Sequence, residues 1–250
     1  MQLDAPETHD ATTPKDRARR WLKGIGTGVA LACLTALVFG ATLVMTMPAS
    51  VVRTLVVLPS QVETLSGSLS RGRAGLLGGY TLDWTWSPGD LITGRIAAGV
   101  ELQGPDTRLE GRIEATPFAV SAHDLRGRAG AGLLALFPRL AVESCSPRAV
   151  VAIDSLSAGR RAFAAQGAIE TSKGVCLDRN GTEIPVPAMV MGLSTQGADA
   201  NVVLSDDRGT TLARLAVTGE RMLRVTVEPQ GAALVPGMPS SAPTSLAMPF

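Results

Sequence analysis

Few side chains in this 250-residue sequence have the types and spacing that chemistry needs. His9 lies in a polar N-terminal stretch, and His123 stands beside Asp124 on an expected strand. Neighbours on a strand point to opposite faces, so that pair does not converge on one atom. His123 reads as a half-buried or surface histidine. Asp206-Asp207-Arg208-Gly209 has two acids beside a glycine, as a calcium loop does. It reads better as a hairpin turn, with Asp accepting turn hydrogen bonds and Gly taking the positive φ. Asn180-Gly181-Thr182 matches a glycosylation sequon and also reads as a turn. There is no GxSxG elbow, HExxH, P-loop or CxxC. No pair of carboxylates can be placed for acid–base work. The sequence therefore assigns no catalytic, cofactor or metal residue and reads as a non-enzyme.

The cysteines carry the remaining chemistry. Cys33 lies in an apolar run and reads as a small packing or lipid-facing residue. Cys145 and Cys176 are 31 residues apart, with only His123 nearby in sequence, which makes a poor zinc site. Two readings stay open for them, a disulfide and two unpaired buried cysteines. The compartment decides between these, and the compartment follows from the N-terminal segment.

From Gly24 to Met47 the chain carries no charge, just behind Lys15, Arg17, Arg19, Arg20 and Lys23. As a helix that run would reach about 36 Å, enough to span a hydrocarbon core of about 30 Å with some tilt. The basic flank holds the N-terminus in the cytoplasm. The rest of the chain then faces the periplasm of a two-membrane bacterium. A cleavable signal peptide is the rival reading, but Thr46-Met47-Pro48 offers no A-x-A-like cleavage site. Length and flanking charge also argue against a buried core helix. Gly24, Gly28 and Ala32 form a small-x-x-x-small series of the kind that pairs helices in membranes. In an oxidising periplasm a Cys145–Cys176 disulfide is the expected state. It would contribute about 4 kcal/mol in the chain-entropy account.

Composition excludes other classes. Beyond residue 23 the chain has 18 basic and 18 acidic side chains, with Lys173 as its one lysine. No basic stripe appears, so no nucleic-acid partner is expected. Hydrophobic residues are 45% of the chain, which excludes disorder throughout, but aromatics are only 4%. The core must come from Leu, Val, Ile and Ala.

The elements that position these residues are strands. Thr81-Leu82-Asp83-Trp84-Thr85-Trp86 alternates, with Leu82, Trp84 and Trp86 on one face. Ser87-Pro88-Gly89-Asp90 is a turn. Strand patterns also cover 62–69, 91–102, 108–115, 118–125, 149–156, 163–170, 189–193, 201–204, 211–217 and 222–227. Glycine or proline separates them, which is a meander rhythm and not a βαβ rhythm. Residues 49–58 read equally as short helix or extended chain, and 129–137 as helical turn or strand; 181–187 is turn-rich. The expected organisation is a cytoplasmic tail 1–23, a transmembrane helix 24–47, a juxtamembrane segment 48–60, a β domain 61–229 and a flexible tail 230–250. The expected fold is mainly β: one N-terminal transmembrane helix, then an elongated antiparallel β-roll or β-meander in the periplasm.

One passage, Leu65-Ser66-Gly67-Ser68-Leu69-Ser70-Arg71-Gly72-Arg73-Ala74, resembles the Leu-x-Gly-Thr-Leu-Trp-x-Gly-x-Ala pattern of protein N of the bacterial type II secretion system. Ser68 stands where that family has Thr, and Ser70 where it has Trp. Trp84, Trp86 and Pro88, followed by Leu91-Ile92-Thr93-Gly94-Arg95-Ile96, are similar to its Trp strand, Pro turn and Leu-x-x-Gly-x-Leu strand. Leu109-Glu110-Gly111-Arg112-Ile113 and Leu125-Arg126-Gly127 continue in register. These residues are structural, since Gly67, Gly72, Gly94 and Gly111 permit turns and close approach while the tryptophans supply apolar area. The resemblance implies a non-enzymatic inner-membrane accessory subunit, acting by protein contacts in the periplasm during export of folded proteins. Its implied partners are the inner-membrane platform or the outer-membrane channel. The alternative is a periplasmic lipid-binding or lipid-transfer protein with an apolar β groove. A filled core with an exposed strand edge would favour docking, and an apolar groove would favour lipid.

Overall fold

In the computed structural model, residues 35, 39–40, 42, 46–48, 59–86, 89, 94–136, 142–178, 181–234 and 238–250 are described. The chain divides into two compact units, Met1–Thr46 and Met47–Phe250. Most of the expected transmembrane helix lies outside the described residues, as do Cys33, most of the juxtamembrane segment, Pro88 and Asn180. Thr35, Phe39, Gly40, Thr42 and Thr46 are helical. Among the described residues no helix is long and apolar enough to cross a membrane.

The second unit is built by period-two alternation. Strands β1 (Val62–Gly67), β2 (Arg71–Leu76), β3 (Tyr80–Trp86), β4 (Ile96–Gln103), β5 (Arg108–Ala115) and β6 (Ala119–Ala129) follow one another as antiparallel neighbours. β7 (Val142–Cys145) leaves this sheet. β8 (Ala149–Gly159) and β9 (Phe163–Thr171) rejoin it beside β6. β10 (Gly174–Asp178) and β11 (Glu183–Val186) leave again, and with β7 they form a separate three-stranded sheet. β12 (Met189–Gln196), β13 (Asp199–Asp206), β14 (Thr211–Val217), β15 (Met222–Val227) and β16 (Thr244–Pro249) complete the main sheet. That sheet has thirteen strands in meander order, with β1 and β16 as its two edges.

Several segments differ from the sequence reading. Arg71–Leu76, rich in glycine and without a β-branched residue, is a strand because β1 and β3 hold it on both sides. The turn-rich passage 181–187 contains β11, paired with β10. Residues 131–136 form a 3-10 helix, the helical alternative for that segment. The tail expected to be flexible instead holds a helical turn at Pro229–Ala232 and the strand β16, paired with β15 over six residues. Pro and Ser dominate the composition of that tail and mask the alternation of Leu246, Met248 and Phe250.

Register carries one side-chain phase across the main sheet. Trp84 faces Val100, which faces Gly111; Ile113 faces Ala122, which faces Leu156, then Ala165. Leu193 faces Val202, then Leu215, Val225 and Leu246. One face of the sheet is thus lined by Leu, Val, Ile, Ala and Trp, while the other carries the ion pairs. The apolar positions change parity inside β6, from Ala122 to Leu125, and inside β8, from Leu156 to Ile153. A one-residue slip would turn every later side chain outward. Bulges absorb the extra residue: on β6 the step from Arg126 to His123 opposes the shorter step from Glu110 to Arg112 on β5, and on β8 the step from Ile153 to Ser155 opposes Gly167 to Gln166 on β9. Asp124 takes φ 51 at the first bulge, a conformation that Asp tolerates better than most residues. Arg126 bridges Asp124 at 3.9 Å and Asp154 at 3.0 Å there.

Among the described residues, the 3-10 helix and the small sheet cover only part of the apolar face. The buried apolar residues are Ala74, Tyr80, Val151, Ile153, Ala165, Ala200, Leu212 and Ala232, mostly small side chains. Larger ones such as Val120 and Leu246 are 53% and 57% exposed.

Candidate interaction surface

The residues that carry the sequence motif come together at one corner of the sheet. Trp84 Nε1 donates to the Leu69 carbonyl at 2.9 Å, and Trp86 Nε1 donates to the same oxygen at 2.6 Å. Both indoles reach the β1–β2 turn because alternation puts Trp84 and Trp86 on one face. Gly72 lies opposite Trp84, and a Cβ there would collide with the indole ring. Gly67 has φ +86 and Gly94 φ +70, so each makes a turn that an L side chain strains. Leu65 pairs with the buried Ala74. A Cβ on Gly111 would lie 3.2 Å from Leu125 Cα and Cδ1. Pro88 cannot be placed with them. The cluster is a packed corner and presents no reactive group.

Cys145 and Cys176 face each other across β7 and β10 and form a disulfide, with Cα atoms 4.0 Å apart. It closes the small sheet against the 3-10 helix. His123 Nε2 lies 3.2 Å from Ser121 Oγ and does not meet a carboxylate. Asp206 Oδ1 accepts from Arg208 N at 3.0 Å and Thr210 N at 2.7 Å, and Gly209 has φ 81. These donors, Thr210 foremost, hold the Asp206 carboxyl below the usual range. Among the described residues no group of three or more His, Cys, Asp and Glu could hold a metal.

One polar cluster was not legible in the sequence. Tyr80, almost fully buried, donates its hydroxyl to Asp106 Oδ1 at 2.8 Å. Thr107 Oγ1 donates to the same oxygen at 3.1 Å, and Gly132 N donates to Asp106 Oδ2 at 3.0 Å. Gly130 N donates to Thr107 Oγ1 at 2.9 Å. Burial alone would push the Asp106 carboxyl up; the Gly132, Tyr80 and Thr107 donors outweigh it and hold it low. Burial and the Asp106 charge raise the Tyr80 phenol. The cluster ties β3, the β4–β5 turn and the 3-10 helix together. Its signal, Tyr80 and Asp106 on separate elements 26 residues apart, is non-local.

Two surfaces among the described residues offer contact beyond the β1 edge. The first is the outer edge of β16, whose six residues are all exposed and uncharged. The second is the apolar face, which holds two cavities. One, of about 410 Å³, is lined by Val120, Leu156, Phe163, Leu193, Val202 and Val217 among others. The other, of about 510 Å³, lies under the 3-10 helix and the disulfide, against Leu125, Val151, Ile169 and Met189. The only polar side chains of the β16 edge are the hydroxyls of Thr244 and Ser245, and the first cavity adds only those of Ser121 and Ser157.

Residues 59–240 match the family described as type II secretion system (T2SS), protein N. The match takes in β1 to β15, the motif corner and the small sheet. The chain belongs to the type II secretion system protein N family. No curated protein and no solved structure matches it. As a member of that family it is a non-enzymatic accessory subunit of the secretion machine, acting through protein contacts. Family members are inner-membrane-anchored proteins with periplasmic domains, and their partners are other subunits of the machine. The open edge of β16 suits that role.

Proposed function

We propose that the chain is a single-pass inner-membrane subunit, with residues 1–23 cytoplasmic, 24–47 spanning and the β domain periplasmic. It contacts the inner-membrane platform or the outer-membrane channel by adding a partner strand to β16. The observation that carries this reading is the edge itself. Phe250 N donates to the Arg221 carbonyl, so residues 250, 248, 246 and 244 bond inward to β15. Ser245 and Ala247 therefore aim N–H and C=O groups away from the sheet. Natural edges are usually blunted by charge; this one has no charge and a single proline, Pro249. Such a row of unsatisfied groups is what strand addition uses.

A photoreactive residue at Ser245 in the full chain, in secreting cells, tests this. The reading expects crosslinks to another subunit of the machine, together with normal export of a reporter exoprotein. Crosslinks confined to lipid or to unrelated periplasmic proteins would sink it.

A further inference from the structure

The apolar face has a ligand chemistry of its own, independent of the β16 edge. None of the residues that line its cavity of about 410 Å³ is charged; Asp206, paired with Met189, lies on this face only at the opposite end of β13. An extended peptide laid along that face would leave its backbone N–H and C=O groups without partners, which is costly. A methylene chain has no such groups.

One end of the face is basic. The meander closes there through the turns after β5, β8, β12 and β14. Arg160 and Arg161 lie in the β8–β9 turn and Arg221 in the β14–β15 turn, all three exposed. Among the described residues none of the three is ion-paired. Glu220 is the one acid in those turns. The Arg160 guanidinium sits 5.5 Å from the Phe118 ring centroid, and Phe118 is 67% exposed. Phe250, 58% exposed, packs edge-on against Phe163 at 5.6 Å. Phe163 also lines the 410 Å³ cavity. Apolar cavity, aromatic rim and unpaired arginines thus follow one another along the strand direction.

The chain also enters the domain at this end. Leu69 N donates to the Met47 carbonyl at 3.2 Å, and Pro48 bridges Ser68 in the β1–β2 turn. That turn closes the same end of the meander as the arginine turns.

We propose that the apolar face is a lipid-binding trough whose occupant is an anionic phospholipid. Its acyl chain lies in the cavity lined by Leu156, Leu193 and Val202. Its phosphate lies among Arg160, Arg161 and Arg221. Charge complementarity selects the anionic headgroup, and the uncharged lining selects the chain. Binding is non-covalent and changes no bond.

The test uses the full chain in cells fed radiolabelled phosphate. A photoreactive residue replaces Leu193 on the trough floor, Val202 on the neighbouring strand or Ser194 on the opposite face. Irradiation is expected to give a labelled phospholipid adduct at Leu193 and at Val202, and none at Ser194. Reversing the three exposed arginines (Arg160→Glu, Arg161→Glu and Arg221→Glu together) is expected to lower that adduct about tenfold or more, since each basic residue near an anionic lipid surface is worth about 1 kcal/mol. Export of the reporter exoprotein, read in the same cells, reports separately on folding and on the strand-addition reading. A protein adduct in the trough, no adduct at either position, or equal labelling at Ser194 would overturn the lipid assignment. Unchanged labelling in the arginine variant would overturn the headgroup assignment.

Discussion

The indole of Trp84 occupies the space that a side chain at Gly72 would need. The two residues are direct partners across β2 and β3, so the ring lies over the glycine and still reaches the Leu69 carbonyl. A bare glycine and a large ring on facing strands form one packing unit. Gly72→Val should destabilise the domain by about 1–3 kcal/mol through overpacking. Gly192, whose Cβ direction is open, is the control. Gly192→Ala should leave stability unchanged or raise it by up to about 1 kcal/mol. Thermal unfolding of the full-length variants checks both.

The Tyr80–Asp106 bond makes stability depend on pH. The folded Asp106 carboxyl lies below its ordinary 3.8, so its contribution is present above that value. It is lost as pH falls from 3.8 through the lower folded value. Asp106→Asn should therefore lower stability near neutral pH, by about 1 kcal/mol for an exposed group. It should also flatten the acid limb. Tyr80→Phe should weaken the same corner and keep the acid limb, because Gly132 and Thr107 still donate to the carboxylate. Melting curves at stepped pH separate the two variants.

Reduction should act locally. The Cys145–Cys176 bond joins β7 to β10, outside the main sheet. Cys145→Ser or Cys176→Ser should lower stability by up to about 4 kcal/mol on the loop-entropy account. Hydrogen exchange should rise first in 142–145, 174–178 and 183–186, while the meander stays protected. A mobility difference between reduced and non-reduced wild-type chain, absent from either variant, reports the bond itself.

The two sides of β16 should respond differently to proline. Ala247 aims its N–H outward and Leu246 bonds to β15. Ala247→Pro should leave the melting temperature nearly unchanged while reducing export of a reporter exoprotein. Leu246→Pro should break the β15–β16 ladder and lower stability as well. Equal export by wild type and the Ala247 variant would argue against strand addition at this edge.

Most strands were legible because alternation is a local property. Thr81–Trp86, Arg108–Ala115 and Thr211–Val217 each show their two faces within six to eight residues. Arg71–Leu76 was missed because its glycines leave no pattern, and β16 because prolines around it suggested a loop. The motif residues Leu65, Gly67, Gly72, Trp84 and Trp86 were visible one by one. Their meeting on the Leu69 carbonyl was not, because it depends on the register between β1, β2 and β3.

By itself the sequence determined a β-rich domain behind an uncharged 24–47 run, without catalytic machinery, and it carried the family resemblance. The tertiary structure decided the rest. Bulges on β6 and β8 bring Leu125 and Leu156 into one apolar face despite their opposite parity. Turns far apart in sequence place Arg160, Arg161 and Arg221 at one end of that face. The physical reason is the same for both. Side-chain alternation is fixed by the backbone of a single strand, whereas register, bulge position and shared turn ends exist only once strands pair.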